Sequence, residues 1–182
     1  QPSSSTSPPT TQQETTTTEV TASWTKLEPS NAPSPRFGGF MATDMSIEAA
    51  TYLGGSAVGV PPAETLWQWS ESAESWVQRE AEDSPRFPDV GMSVVYDVRA
   101  ERLLLFWIGG IMLDPEKVVY AYDSGSDAWT AHPYEGGYLP MSSAAAYDEA
   151  GDRTVLFGGL GADTTDQTWS YDLHTETWEF LE

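Results

Sequence analysis

The sequence predicts an all-β protein in which a unit of about 50 residues, holding four short antiparallel strands, occurs three times. One recurring landmark is an apolar run that ends in a glycine doublet, and the doublets begin at Gly54, Gly109 and Gly158. Another is a closing tryptophan, and these residues are Trp76, Trp129 and Trp178, spaced 53 and 49 residues apart. A repeat of this length indicates similar supersecondary units packed side by side.

Each unit contains four segments with strand character. The first is rich in small residues, the second is almost wholly apolar, the third alternates apolar and polar residues, and the fourth carries the tryptophan. An apolar second segment suits a strand buried on both faces, and an alternating third segment suits one with a single buried face. The segments cover 38–43, 50–53, 65–69 and 75–78 in unit one, 91–96, 103–108, 117–122 and 128–131 in unit two, and 142–147, 154–157, 167–171 and 177–180 in unit three.

Composition excludes several classes of function. The chain has 182 residues and a net charge of -20, from 28 Asp and Glu against 8 Lys and Arg. Such a charge repels nucleic-acid phosphates and anionic lipid headgroups, so we expect neither partner. There is no cysteine, which excludes disulfides, thiolate metal sites and a cysteine nucleophile. No apolar run reaches the roughly 18 to 20 residues that span a bilayer, so we expect no membrane insertion.

Residues 1–22 are almost entirely Ser, Thr, Pro and Gln. A segment of this composition buries too little to offset its ordering entropy, so we expect a disordered linker. Similar spacers lie between an export signal or lipid anchor and an extracytoplasmic domain, and the start at Gln1 suggests processing. We therefore expect an exported, extracellular or cell-surface protein, with a linker cut from a longer chain as the alternative.

The landmarks in residues 23–182 resemble the Kelch repeat, in which an apolar strand ends in Gly-Gly, an aromatic-Asp pair follows, and a Trp comes about six residues later. Unit three fits best, with Gly158-Gly159, Tyr171-Asp172 and Trp178. Unit one departs from the pattern, because Trp69-Ser70 stands where Tyr-Asp is usual.

The resemblance implies a β-propeller segment of three four-stranded antiparallel blades, at about 36–80, 86–132 and 140–182. Residues 24–27 look like an additional outer strand. Since propellers usually close with four to eight blades, the chain is a portion of a larger ring, half of a six-bladed ring formed by two copies, or an open arc. We expect the isolated chain to self-associate.

In a Kelch-like propeller the loops joining strands two and three, and those leading into strand one, gather at one mouth of the central channel. We interpret Arg36 and Arg86, which lie in these loops, as candidate ligand-binding residues, because a guanidinium holds a carboxylate or sugar hydroxyl well. An internal ion pair is the alternative role for both arginines. Asp163 and Asp166, in the 162–166 loop, are further candidates; the loop has fewer oxygen acceptors than dedicated calcium loops, so we expect a solvated loop.

No catalytic, metal or cofactor motif is present. His132 and His174 are expected in loops, without the spacing of a metal site. We therefore predict a non-enzymatic binding or scaffold module that recognises a protein or glycan. A carbohydrate-acting propeller enzyme that uses loop carboxylates is the alternative.

Overall fold

The computed structural model describes residues 22–57, 66–85, 87, 91–108, 117–135, 142–160 and 164–181. These residues form strands and turns without a helix, so none of them belongs to a helix able to cross a membrane. The strands are β1 (Phe37–Asp44), β2 (Ala49–Ser56), β3 (Leu66–Ser70), β4 (Ser75–Arg79), β5 (Met92–Asp97), β6 (Arg102–Ile108), β7 (Lys117–Asp123), β8 (Ala128–Pro133), β9 (Ala144–Asp148), β10 (Arg153–Phe157), β11 (Thr168–Asp172) and β12 (Thr177–Phe180).

The strands make three antiparallel sheets of four, each in chain order: sheet 1 is β1–β4, sheet 2 is β5–β8 and sheet 3 is β9–β12. The three predicted four-strand units are therefore confirmed, each close to its expected position. The linker expected at residues 1–22 lies outside the described residues except for Ala22. Residues 24–27, expected as an additional outer strand, lie in no sheet of the described chain, and Trp24 is fully exposed.

Four-residue turns close the hairpins between the first and second and between the third and fourth strands of every sheet. The last residue of each turn has a positive φ and is acidic; these residues are Glu48, Glu74, Glu101, Asp127, Asp152 and Glu176. A left-handed residue at this place matches the twist of the flanking strands. Two of the carboxylates also accept hydrogen bonds from tyrosines, Asp127 from the buried Tyr122 and Asp152 from the partly buried Tyr147. Part of the acidity thus has a structural role.

The first strands of the sheets lie side by side, with β5 between β1 and β9. The starts of β5 and β9 are joined directly, because Ser142 N donates to Gly91 O at 3.4 Å and Ser93 Oγ donates to Ser143 O. The strands therefore begin at the same end of the molecule. Small residues such as Gly91 and Ser93 allow this close approach.

Sheets 1 and 2 pack through one face each. Leu53 and Leu66 of sheet 1 form a buried cluster with residues of sheet 2 that include Leu105, Tyr122 and Trp129. Gly54 has φ +71°, and a Cβ there would lie 2.7 Å from Met92 Cε of sheet 2. The positive φ is what favours glycine here, and the flexible Met92 side chain packs directly against it.

The opposite face of sheet 2 packs on sheet 3. Phe106 is 1% exposed, and its ring meets Tyr171 and Trp178 edge-on, with centroids 5.6 and 5.7 Å apart. Tyr171 and Trp178 face each other across β11 and β12, as Tyr122 and Trp129 do across β7 and β8. In sheets 2 and 3 the recurring aromatic pair therefore fills the space toward the preceding sheet.

A segment before each of the first two sheets runs beside that sheet's outer strand. Asn31 O accepts from Trp76 N at 3.1 Å, and Glu82 O accepts from Trp129 N at 3.0 Å. Asn31 Nδ2 also donates to Trp76 O at 3.1 Å. The outer edges of sheets 1 and 2 are therefore partly covered, which limits strand-to-strand association there.

Candidate functional site

Two of the four candidate ligand-binding residues, Arg86 and Asp163, lie outside the described residues. So do most of the loops between second and third strands, namely residues 58–65, 109–116 and 161–163, and most of those leading into first strands, residues 88–90 and 136–141. These loops lie where the first strands begin and the second strands end. The described residues at this end of the sheets include Arg36, the last residues of the second strands in sheets 1 and 3, and Asp166.

Arg36 is partly buried just before β1 and is held by uncharged groups. Its Nε donates to Ser34 O at 3.0 Å, Nη2 to Ser34 Oγ at 2.7 Å and Nη1 to Gly54 O at 3.3 Å. Within the described chain no carboxylate lies at ion-pair distance, so the alternative internal pair does not form there. Because a guanidinium has five N–H donors and three are used, two remain for a ligand.

Asp166 is exposed and lies in the segment that leads into β11. Hydrogen bonds from Gly158 N to Gln167 O at 3.0 Å and from Thr165 N to Gly159 O at 3.2 Å close this loop onto the glycine doublet. Asp166 belongs to sheet 3 and Arg36 to sheet 1, so the structure does not bring the two described candidates together.

A cleft lies at the opposite end of the sheets, between sheets 2 and 3. It has a volume of about 410 Å³. Its walls come from β6, β7 and β8, from the last residues of β5 and β11, and from the turns after β5, β9 and β11. The ionisable residues that line it are Asp97, Arg99, Arg102, His132, Asp152, Asp172 and His174. Both histidines are present, although their sequence positions gave no sign of it.

His132 is not a loop residue, as the sequence suggested, but belongs to β8, where it pairs with Val119 of β7. Its ring Nδ1 lies 3.0 Å from Glu176 Oε1 of the turn after β11. His174 is exposed in that turn, as predicted. The two rings meet at one cleft only because sheet 3 packs on sheet 2.

Ion pairs line the cleft. Arg99 pairs with Asp152, and Arg102 Nη2 lies 2.9 Å from Asp123 Oδ2. A hydrogen bond from the Tyr147 hydroxyl, with a smaller contribution from Arg99, holds the pKa of Asp152 below its usual range. Burial raises the pKa of Asp97, although the hydrogen bond from Ala100 N at 2.9 Å opposes the effect. The cleft therefore contains one carboxyl group with a lowered pKa, Asp152, and one with a raised pKa, Asp97.

A role in turn formation accounts for the Asp97 site. Asp44, Asp97 and Asp148 occupy the last position of the first strand in the three sheets. Each accepts a hydrogen bond from a backbone N–H of the turn that follows, at 3.0, 2.9 and 3.2 Å respectively. An aspartate that caps its own turn once per sheet is a structural element.

No group of three His, Asp or Glu side chains suited to a metal ion occurs among the residues described. Nor does any protein-family model match the chain, and no curated protein matches it.

Proposed function

We propose that this chain is a Kelch-type β-propeller segment and a non-enzymatic binding or scaffold module, which recognises a protein or glycan through loops at one end of its sheets. The observation that carries the proposal is the shared orientation of the three sheets. Their first strands lie together, and the starts of β5 and β9 are hydrogen-bonded to each other. Loops that enter the first strands and leave the second strands thus come from one end of the molecule, where a common surface is built from several units.

Arg36 is the described residue best suited to a ligand at this end. Its contacts with Ser34 and Gly54 fix the guanidinium without neutralising it. In a chain with net charge -20, a cation held this way attracts a carboxylate or donates hydrogen bonds to the oxygen of a sugar hydroxyl through its remaining N–H groups. Asp166 adds an exposed acceptor at the same end of sheet 3.

A binding assay tests this proposal. A substitution at the loop end of the sheets is the test variant, and one at the opposite end is the control. The probes are a printed glycan array and a panel of purified extracellular proteins, applied to wild type, Arg36→Gln and Arg99→Gln. We expect Arg36→Gln to weaken the best-bound probe by about tenfold, a change of about 1.4 kcal/mol, and Arg99→Gln to leave it unchanged. Loss of binding in Arg99→Gln alone would move the site to the cleft between sheets 2 and 3.

The alternative function, a carbohydrate-acting enzyme, is favoured by one observation: the paired carboxyl groups of Asp97 and Asp152 line a cleft and have pKa values displaced in opposite directions. Against it stands the recurrence of the same aspartate at Asp44 and Asp148. A panel of nitrophenyl glycosides decides the question. Turnover by wild type that disappears in Asp97→Asn, with the folded state retained, would establish the enzyme and refute the binding module.

The proposed location is extracytoplasmic, with residues 1–22 as a tether. Their Ser, Thr and Pro composition and the acidity of the chain support a solvated, exported protein whose partners are neither nucleic acid nor lipid surface. Surface labelling of intact producing cells with a membrane-impermeant reagent tests this location. Labelling only after lysis would contradict it.

A further inference from the structure

Among the described residues, no sheet covers the first-sheet face that corresponds to the sheet-2 face packed on sheet 1, nor the third-sheet face that corresponds to the sheet-2 face packed on sheet 3. The sheet-1 outer face contains Met41, Tyr52, Trp69 and Trp76. The sheet-3 outer face contains Ala144, Ala146, Val155 and Phe157. Met41 is 59% exposed and Phe157 is 55% exposed.

The strand register shows that Phe157 is the counterpart of two buried residues. Leu53, Phe106 and Phe157 each pair with the residue four positions before the aspartate that ends the first strand. Leu53 is 0% and Phe106 is 1% exposed, because the next sheet covers each of them. Phe157 occupies the same position on a face without a covering sheet in the described chain.

The sheet-1 outer face contains the counterpart of the pocket that receives Phe106. Phe106 packs on the Tyr171–Trp178 pair of sheet 3. The equivalent cross-strand pair in sheet 1 is Trp69–Trp76, whose rings lie edge-to-face with centroids 5.6 Å apart. This pair is partly exposed, so the chain presents both the inserting residue and its receiving pair.

The exposure of the aspartates that end the three first strands can be compared in the same way. Asp44 is 1% exposed because the turn after β7 covers it, with Ser124 Oγ donating to its carboxylate. Asp97 is also buried, and Tyr147 and Asp152 of sheet 3 lie close to it. The side chain of Asp148, at the equivalent place in sheet 3, remains 40% exposed. In the part of the chain that the structure describes, the sheet-3 outer face therefore has no neighbouring sheet either at Asp148 or at Phe157.

We propose that two copies of this chain associate head to tail, with the sheet-3 outer face of each copy on the sheet-1 outer face of the other. Phe157 then enters the Trp69–Trp76 pair of the partner as Phe106 enters Tyr171–Trp178. The two contacts close a six-sheet ring with two-fold symmetry, in which each interface repeats the packing already present twice within the chain. A second copy fits because it supplies both missing faces at once.

Charge opposes this association and makes it sensitive to salt. Each copy has a net charge of -20. Glu71 occupies the turn position in sheet 1 that Ser124 has in sheet 2, so closure brings the partner's Glu71 toward Asp148. Screening by salt should therefore strengthen the dimer. Glu71→Ser, which restores the residue found in sheet 2, should strengthen it too.

Sedimentation equilibrium with paired variants tests the proposal. We expect a wild-type mass near twice 19.9 kDa at micromolar concentration, and a dissociation constant raised at least about tenfold by Met41→Glu or Phe157→Glu, because each change places a charge in both interfaces. An equimolar mixture of these variants should form a heterodimer. It joins both substitutions in one interface and leaves the other interface unaltered.

The control is Val98→Glu, which alters an exposed apolar residue in the turn after β5 and should leave the dimer unchanged. Near-UV circular dichroism confirms that each variant retains its packed aromatic residues. A monomeric wild type, including at high salt, would overturn the proposal. The proposal would also be refuted if only one of the two charged variants were monomeric and mixing the variants restored no dimer, because that result indicates that two identical faces meet. A weaker dimer in Glu71→Ser would refute it as well.

Discussion

Phe106→Ala, compared with Phe157→Ala, measures the stabilisation that sheet-on-sheet packing provides. The two residues have the same position in their sheets, but Phe106 is buried at 1% exposure and Phe157 is 55% exposed. Truncation of a buried phenylalanine costs about 3–5 kcal/mol, and this includes edge-to-face contacts worth about 0.5–1.5 kcal/mol each beyond burial. Truncation of an exposed one costs within about 0.5 kcal/mol.

Urea unfolding followed by tryptophan fluorescence gives both free energies of unfolding. For a chain of this size 1 kcal/mol shifts the melting temperature by about 2–4 °C, so Phe106→Ala should melt about 6–20 °C below wild type. Phe157→Ala should match wild type in dilute solution, where the chain is monomeric. At higher concentrations, where the head-to-tail dimer forms, Phe157→Ala should become less stable than wild type, and the difference in unfolding free energy should increase with protein concentration.

Equal losses of unfolding free energy for the two variants in dilute solution would refute the reasoning, because the different burial of the two rings would then not explain how much each contributes to stability. A loss below about 1 kcal/mol for Phe106→Ala would also refute it, since a collapsed or poorly packed interface between sheets 2 and 3 is then required. Phe106→Leu is the matched control. It retains much of the apolar volume and should recover part of the lost stability.

The remaining predictions concern ionisation. Because the Tyr147 hydroxyl is the main cause of the low pKa of Asp152, Tyr147→Phe should raise that pKa toward its ordinary value in a carbon-13 NMR titration; an unchanged value would assign the effect to Arg99. Burial raises the pKa of Tyr134 to about 12, against about 10 in the unfolded chain. The stability that its neutral phenol contributes is complete below about pH 10 and is lost as the pH rises through about 12. Its hydroxyl has no hydrogen-bond partner within the described chain, so Tyr134→Phe should unfold at higher pH when alkaline titration is followed by circular dichroism; an earlier transition would contradict this assignment.

Strand positions could be read from the sequence because their signals are local. The apolar run of β6 and the alternating pattern of β7 depend only on near neighbours in the chain. The Gly-Gly doublets proved less regular than the tryptophans. Leu103, which pairs with Tyr122, stands six residues before Gly109, whereas Thr154, which pairs with Tyr171, stands four residues before Gly158. The distance along the chain from this pairing to the glycine doublet therefore differs by two residues between sheets 2 and 3.

The candidate site was harder to foresee. Arg36 was identified by its place before a first strand, but its neutral partners, Ser34 and Gly54, appear only when β1 pairs with β2. The cleft with His132 and His174 was missed, because its walls belong to two different sheets. The one available sequence signal was the repeat itself, which places β8 of one unit beside the last turn of the next.

The amino-acid order alone determined that three four-stranded units follow one another, because pleat alternation, glycine doublets and turn residues act over a few positions. Only the tertiary structure decided which faces are covered. Leu53, Phe106 and Phe157 have equivalent positions in their strands, yet two are buried and one is exposed. The physical reason is that burial depends on the neighbouring sheet, and the residues of a single strand do not specify whether that neighbour is present.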